Sequence, residues 1–316
     1  HSFPTRRSSD LWCYNTVHGL TVRGSDALRQ RAYWVDLLVL LVYIVLSAIM
    51  AYPMPQHMTT HVAGRTMDAR IFQWNDWWVR KALLEGRDID YTDYIYYPSG
   101  ASLAGHNINW VSSFLSVPLA LVFGPAVAYN QTFLLSLWLS GFGMYLLVRR
   151  LTGRRDAGFV GGLIFAFFPY HLSGNWDGQM NLANVQWLPL FALFVVRLLD
   201  DGGVWNALLS GLFGALAALD CWFFAPFLAV WAAIYVVYRL IFDRTTRQWR
   251  RMGLLVLGAV VALLLIAPLA WSVLSGAGDT VGASLAYYVD TKATDLLAFV
   301  LPSSDHPLLG PLAAPA

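Results

Sequence analysis

The chain has 316 residues, 57% of them hydrophobic and only 13% charged, with a net charge of +2. With a mean hydropathy of +0.51, this composition describes an integral membrane protein. So small a net charge gives no reason to expect a nucleic-acid partner, and the information lies in where the charges sit.

The segment from His1 to Leu11 resembles a translated adapter read-through and is set aside from fold reasoning. Residues 12–32 carry Arg23, Arg29 and Arg31 ahead of the first long apolar run, Tyr33 to Tyr52. That run has about the 20 residues a helix needs to cross a hydrocarbon core. Lys and Arg concentrate in cytoplasmic loops, so 12–32 is expected inside and the polar, aromatic-rich stretch after the run outside. The external loop is taken as 53–125. Asn109 to Phe123 is short, contains Pro118 and is stopped by Gly124-Pro125. Read as a re-entrant or juxtamembrane helix, it keeps Arg149, Arg150, Arg154 and Arg155 inside.

The later spans are then Val127 to Val148, Ala157 to Leu172, Leu182 to Val196, Val204 to Leu219, Trp222 to Phe242 and Met252 to Leu274. Basic runs at Arg149 to Arg155 and Arg244 to Arg251 fall inside, whereas Asp68, Asp76, Asp177, Asp220 and Asp279 fall outside. The Asp200-Asp201-Gly-Gly turn is the internal loop without basic residues. Cys13 and Cys221 lie on opposite faces, which argues against an intramolecular disulfide. The expected fold is all-α, a polytopic membrane helix bundle of about seven crossings over 33–274. Residues 275–316 are expected outside, and the chain reads as a fragment truncated at both ends.

In the large loop, Met67, Ile71, Trp74, Trp78 and Ala82 recur at helical spacing, with Arg70, Gln73, Arg80 and Lys81 elsewhere on the wheel. The pattern predicts an amphipathic helix lying on the outer membrane surface. Asp68, Phe72, Asn75 and Asp76 share a neighbouring stripe. Its two carboxylates, about 12 Å apart along the axis, are too distant to share a proton or chelate one metal. Asp68 reads either as a first-turn carboxylate favoured by the helix dipole or as a functional acid. Asp76 reads as a solvated charge paired with Arg80 at i+4, or as a substrate contact.

The run from Tyr91 to Gly100 reads as an interfacial aromatic belt or as a platform for stacking sugar rings, with Tyr96 and His106 as the candidate contacts. The second external loop offers His171, Asn175, Asp177, Gln179 and Asn181, an acid, an imidazole and amides where a hydrogen-bonded turn would suffice. The spacing of His171 and Asp177 is too loose for a metal motif, and no HExxH or CxxC occurs. Asp220, beside Cys221 and Trp222, reads as an interfacial cap.

Several motifs together carry a resemblance: Met67-Asp68-Ala-Arg-Ile-Phe-Gln-Trp74-Asn-Asp-Trp77-Trp78 opening the loop, a Tyr97-Pro-Ser-Gly100 element, Met144-Tyr145 through Arg155 leading into Ala157 to Pro169, and Gln186-Trp187-Leu188-Pro189. In this order, after an N-terminal span, they resemble the GT-C glycosyltransferases, most closely the bacterial YfhO-like branch, over Tyr33 to Pro311. The resemblance implies transfer of a sugar from a polyprenyl-phosphate donor to an acceptor at the external face. The setting is the plasma (inner) membrane, with the N-terminus cytoplasmic and membrane lipids as the other partners. It places Asp68 where the family has a general base or metal ligand, although the usual paired acidic motif is here a single Asp68 after Met67. Asp177 maps to a second-loop residue of the same pocket.

Arg70, Asp76, Tyr96, His106, His171 and Gln179 are the candidate substrate contacts. The leaving phosphate needs positive charge, expected from Arg65, Arg70, Arg80, Lys81 or a divalent cation. Two other classes stay open. A lipid or oligosaccharide transporter or flippase would need charges within the spans, where only Asp36, Arg197 and Arg239 occur, near span ends. The other is a noncatalytic membrane scaffold of envelope assembly.

Overall fold

The computed structural model describes residues 33–103 and 105–276. Residues 1–32, expected as an adapter-derived and a cytoplasmic segment with Cys13, and those beyond Gly276, expected outside with Asp279, lie outside the described residues. The chain divides into two compact units, one of residues up to Ile89 and from Asn107 to Ala267, the other of Asp90–His106 with the chain from Pro268.

The larger unit is helical throughout. Its elements are α1 (Tyr33–Met50), α2 (Met67–Glu85), α3 (Trp110–Phe123), α4 (Pro125–Thr152), α5 (Arg155–Ala166), α6 (Pro169–Asp177), α7 (Met180–Ala183), α8 (Trp187–Asp201), α9 (Val204–Asp220), α10 (Phe224–Phe242) and most of α11 (Trp249–Gly276). Five segments are long and apolar enough to cross a membrane by length and composition: α1, α4, Met180–Asp201, α10 and Trp249–Ser275. The helices α3 and α9 are shorter apolar ones. The fold is thus the expected all-α polytopic bundle.

Local chemistry sets several boundaries. Gly86 and Gly153, at φ 65° and 70°, end α2 and α4 in the left-handed conformation that glycine adopts without steric cost. Pro125 sits in the first turn of α4, where its missing amide hydrogen is not needed. The run from Ala157 to Leu172, expected as one span, is broken. The helix α5 stops at Ala166 after 12 residues, about 18 Å, well short of a hydrocarbon core of about 30 Å. Pro169 explains the break, because proline has no amide to donate and disfavours helical geometry in the residue before it.

One end of the bundle is knitted together by arginines. Asp36 of α1 accepts from Tyr145 Oη at 2.6 Å and pairs with Arg149 of α4 and, at 3.5 Å, with Arg155 of α5. Arg150 reaches Asp200 at 3.1 Å and Asp201 at 2.6 Å, and Arg239 of α10 reaches Asp200 at 2.7 Å and Asp243 at 2.6 Å. Arg251 of α11 donates to the carbonyl of Leu199. The acidic turn at Asp200-Asp201 therefore has basic partners, supplied by other helices. Above this end, Tyr43 threads between α4 and α5 and donates to the Phe159 carbonyl at 2.8 Å. A Cβ on Gly162 would lie 2.0 Å from the Tyr43 hydroxyl and 2.4 Å from the Gly141 carbonyl, so only glycine permits this crossing.

The opposite end holds the loops. In α4, Asn130 Oδ1 accepts from the Ala63 amide at 2.8 Å, while its Nδ2 donates to the His61 carbonyl at 2.7 Å. Tyr129 donates to the Ala69 carbonyl at 3.3 Å. The first turn of α3 meets Asp76 and Asp220, and its last residue is one glycine from α4. Both ends of α3 therefore lie at this end of the bundle.

The smaller unit contains an antiparallel pair, β1 (Tyr91–Thr92) and β2 (Ala101–Ser102), with Tyr91 opposite Ser102. Their connection places Tyr96 at φ 54° and leaves Tyr96 and Tyr97 79% and 84% exposed. Tyr91 Oη donates to the Ser99 carbonyl at 2.5 Å and fastens the turn.

Candidate active site

The helix α2 is amphipathic, but rotated from its expected setting. Ala69, Phe72, Asn75, Asp76, Trp78, Val79 and Ala82 are its buried residues, so Trp78 and Ala82 of the expected apolar stripe are covered, whereas Met67 is 66% exposed. The stripe that carries Asp76 is buried too, because α3 and the chain just before it meet it with matching polar groups. Asn75 Nδ2 donates to the Asn107 carbonyl at 2.8 Å, and Ser113 Oγ donates to Asp76 Oδ1 at 2.6 Å. The sequence expectation of Asp76 as a solvated charge is therefore corrected. It is 9% exposed, Oδ2 has no hydrogen-bond partner, and burial pushes the carboxyl up to about 6 against the pull of Ser113, Ser116 and Arg80.

Asp220 departs from expectation in the same way. It is fully buried rather than an interfacial cap of its own helix. Oδ1 accepts from the Ser112 amide at 2.9 Å, Oδ2 from Trp187 Nε1 at 2.7 Å, and its carbonyl from Asn109 Nδ2 at 2.6 Å. A carboxylate at the C-terminal end of α9 is disfavoured by that helix's dipole. Here it caps the unpaired amides that open α3, where the dipole favours it. Asn184 Nδ2 joins the same network by donating to Ser112 Oγ at 2.7 Å.

Asp68 lies in the first turn of α2, half-buried, and its Oδ2 accepts from Gln179 Nε2 at 3.1 Å. The link between α6 and α7 docks here. The Asp177 carbonyl accepts from Thr66 Oγ1 at 2.6 Å and the Thr66 amide at 3.4 Å, and Arg65 pairs with the Asp177 carboxylate at 3.4 Å. The approach is close enough to require glycine at 178. Gly178 has φ 77°, and a Cβ there would lie 2.5 Å from Ala69 Cβ. Asp68, Asp177, Gln179 and Arg65 are thus brought into one region from residues more than 100 positions apart.

Adjoining this region is a cavity of about 530 Å³ lined by Tyr52, His57, His61, Gly64, Arg65 and Phe133, among others. The two imidazoles are in edge contact, with centroids 5.1 Å apart. Sequence reasoning passed over His57 and His61. Their i, i+4 spacing in a polar loop was the available signal.

Of the remaining candidates, Arg70 is exposed on α2. His171 is fully buried, its Nδ1 2.7 Å from the Ala166 carbonyl and its Nε2 2.8 Å from that of Ala183. Burial draws its pKa below the ordinary histidine value, against the pull of the two carbonyls. Tyr96 and His106 belong to the smaller unit, where burial lowers the pKa of His106. No three His, Cys, Asp or Glu side chains among the described residues could hold a metal ion. The donor set at Asp68, a carboxylate with an amide, therefore does not fit a divalent cation on its own.

The sequence model of the dolichyl-phosphate-mannose-protein mannosyltransferase family matches residues 112–271, half of the chain. The chain belongs to this family. It is accordingly a membrane glycosyltransferase of the GT-C type. No curated protein matches the chain. The mannosyltransferase-family match begins within α3, so the first loop with Asp68 precedes it.

Proposed function

We propose that the chain transfers a sugar from a polyprenyl-phosphate-linked donor to an acceptor hydroxyl at the membrane face opposite the arginine-rich end, with Asp68 as the proton acceptor. The observation that carries this reading is the Gln179 amide donating to the Asp68 carboxylate at 3.1 Å, which joins the two loops beside the histidine-lined cavity. Transfer to a hydroxyl needs a base as the sugar carbon becomes oxocarbenium-like, and an oriented carboxylate serves. A cavity with a guanidinium and two imidazoles among apolar walls suits an amphiphile whose anionic phosphate adjoins an isoprenoid chain.

The arginine-rich end is read as cytoplasmic, so α1 starts on the cytoplasmic side of the plasma (inner) membrane. The motif order supports a bacterial, YfhO-like member. The test is sugar transfer from a polyprenyl-phosphate donor by full-length protein in membranes. Asp68→Asn keeps shape and removes the charge, so transfer should fall by about 100-fold or more. Transfer within twofold of wild type would remove Asp68 from the role of base.

A further inference from the structure

Two helix ends meet at a single imidazole. The carbonyls of Ala166 and Ala183 close α5 and α7, where the last turn of a helix leaves its carbonyls without intrahelical donors. His171, in the first turn of α6, lies between them, with Nδ1 2.7 Å from one oxygen and Nε2 2.8 Å from the other. The ring is fully buried, and Ser136 Oγ stands 3.5 Å from Nε2. A ring wedged only for packing would not direct both nitrogens at carbonyl oxygens. A neutral imidazole offers one N–H and an imidazolium two, so at least one of the two helix ends is held by a donated bond in either state.

Between the two anchors runs the segment that delivers Asp177 and Gln179. Among the described residues it meets the first loop through Thr66 to the Asp177 carbonyl, Arg65 to the Asp177 carboxylate and Gln179 to Asp68, beside the close approach of Gly178 to Ala69 and the apolar cluster of Met180 and Ala183 with Phe72. The Arg65–Asp177 pair is exposed and contributes little. Those contacts hold the middle of the segment, while both of its ends run to the same ring.

We infer that His171 is a positioning residue for the carboxylate site, tying the end of α5 to the end of α7 so that Gln179 reaches Asp68. This rests on the transfer reading proposed above for Asp68. A shift of about 1 Å at a reacting group can cost roughly 100-fold in rate, so a residue that touches no substrate can govern turnover through this distance.

Two substitutions separate a hydrogen-bonding role from packing. His171→Phe keeps an aromatic ring and removes both ring nitrogens. His171→Gln loses the ring and keeps a donor. In full-length protein in membranes, His171→Phe should lower kcat by about tenfold or more while the KM for the polyprenyl-phosphate donor stays within about threefold, and His171→Gln should recover most of kcat. In parallel, amide hydrogen exchange over residues 177–183 should speed up in His171→Phe and stay near wild type in His171→Gln. Equal effects of the two variants, or a better-preserved His171→Phe, would reduce His171 to packing and overturn the inference. The exchange measurement needs no activity. If it behaves as expected while Asp68→Asn transfers sugar normally, the reading of Asp68 has failed and the positioning of the segment has not.

Discussion

The two ends of the bundle handle charge in opposite ways. At the arginine-rich end each of Asp36, Asp200, Asp201 and Asp243 lies against at least one guanidinium, and the pairs link α1, α4, α5, α8 and α10 into a partly solvated lattice. At the other end Asp76 and Asp220 are buried without a direct arginine contact, and hydroxyl, amide and indole groups hold them instead. Buried atoms with no hydrogen-bond partner cluster there as well, among them Asp76 Oδ2, Asn109 Oδ1, Asn184 Oδ1 and Gln186 Oε1. Each unmet buried polar group costs about 1–3 kcal/mol. One end uses charge for cohesion, while the other tolerates unmet polarity next to the loops that form the candidate site.

The sharpest way to break this contrast is Asp220→Ala. It strips a charged acceptor from the Ser112 amide and the Trp187 indole at once, so the protein should lose about 3 kcal/mol or more of stability, read as the denaturant midpoint in detergent. A loss below about 1 kcal/mol would make Asp220 no more than the surface cap expected from the sequence.

Asp76 should give a smaller effect with a distinctive pH signature. Its folded pKa, about 6, lies above the ordinary 3.8. The folded state therefore holds its proton more tightly than the unfolded one. The stability this contributes is fully present below about pH 4, is lost as pH rises to about 6, and stays lost at neutral pH. Asp76→Asn should flatten that part of the stability profile and raise stability at pH 7 by about 1–3 kcal/mol. An unchanged slope between pH 4 and 6 would mean that Asp76 is hydrated after all.

The smallest change is expected at the arginine-rich end. Arg150→Gln removes a partly solvated pairing, and Asp200 keeps Arg239, so stability should fall by less than about 1 kcal/mol and transfer should stay within twofold. A tenfold loss of transfer would show that the lattice reaches the opposite end.

Which of these features the sequence displays depends on whether they are local. Apolar runs and arginine clusters are local, so the helical bundle and its charged end follow from them. The break at Pro169 was equally local, yet it was absorbed into an apolar run that looked long enough to span. The burial of Asp76 and Asp220 was hidden, because it depends on α3, a short helix whose serines and backbone amides come from residues 112–116. Nothing on the helical wheel of α2 reveals that a serine more than 35 positions away will cover its acidic stripe. Asp68 and Gln179 each stood out as polar residues in separate loops, but their meeting arises only in the folded chain.

That meeting sets an order of events during synthesis. Thr66 and Asp177 are 111 residues apart, as are Asp68 and Gln179. At about 5–20 residues per second, the start of α2 waits on the order of 5–20 s for the strip of chain that will cover Gly64 and Ala69. Through that interval several helices are inserted while the first loop has only its own segment for company. The contact of Gln179 with Asp68 is therefore among the last parts of this region to form, and a ribosome stalled between α4 and α6 would leave in the membrane a complete first loop whose acid lacks its amide partner.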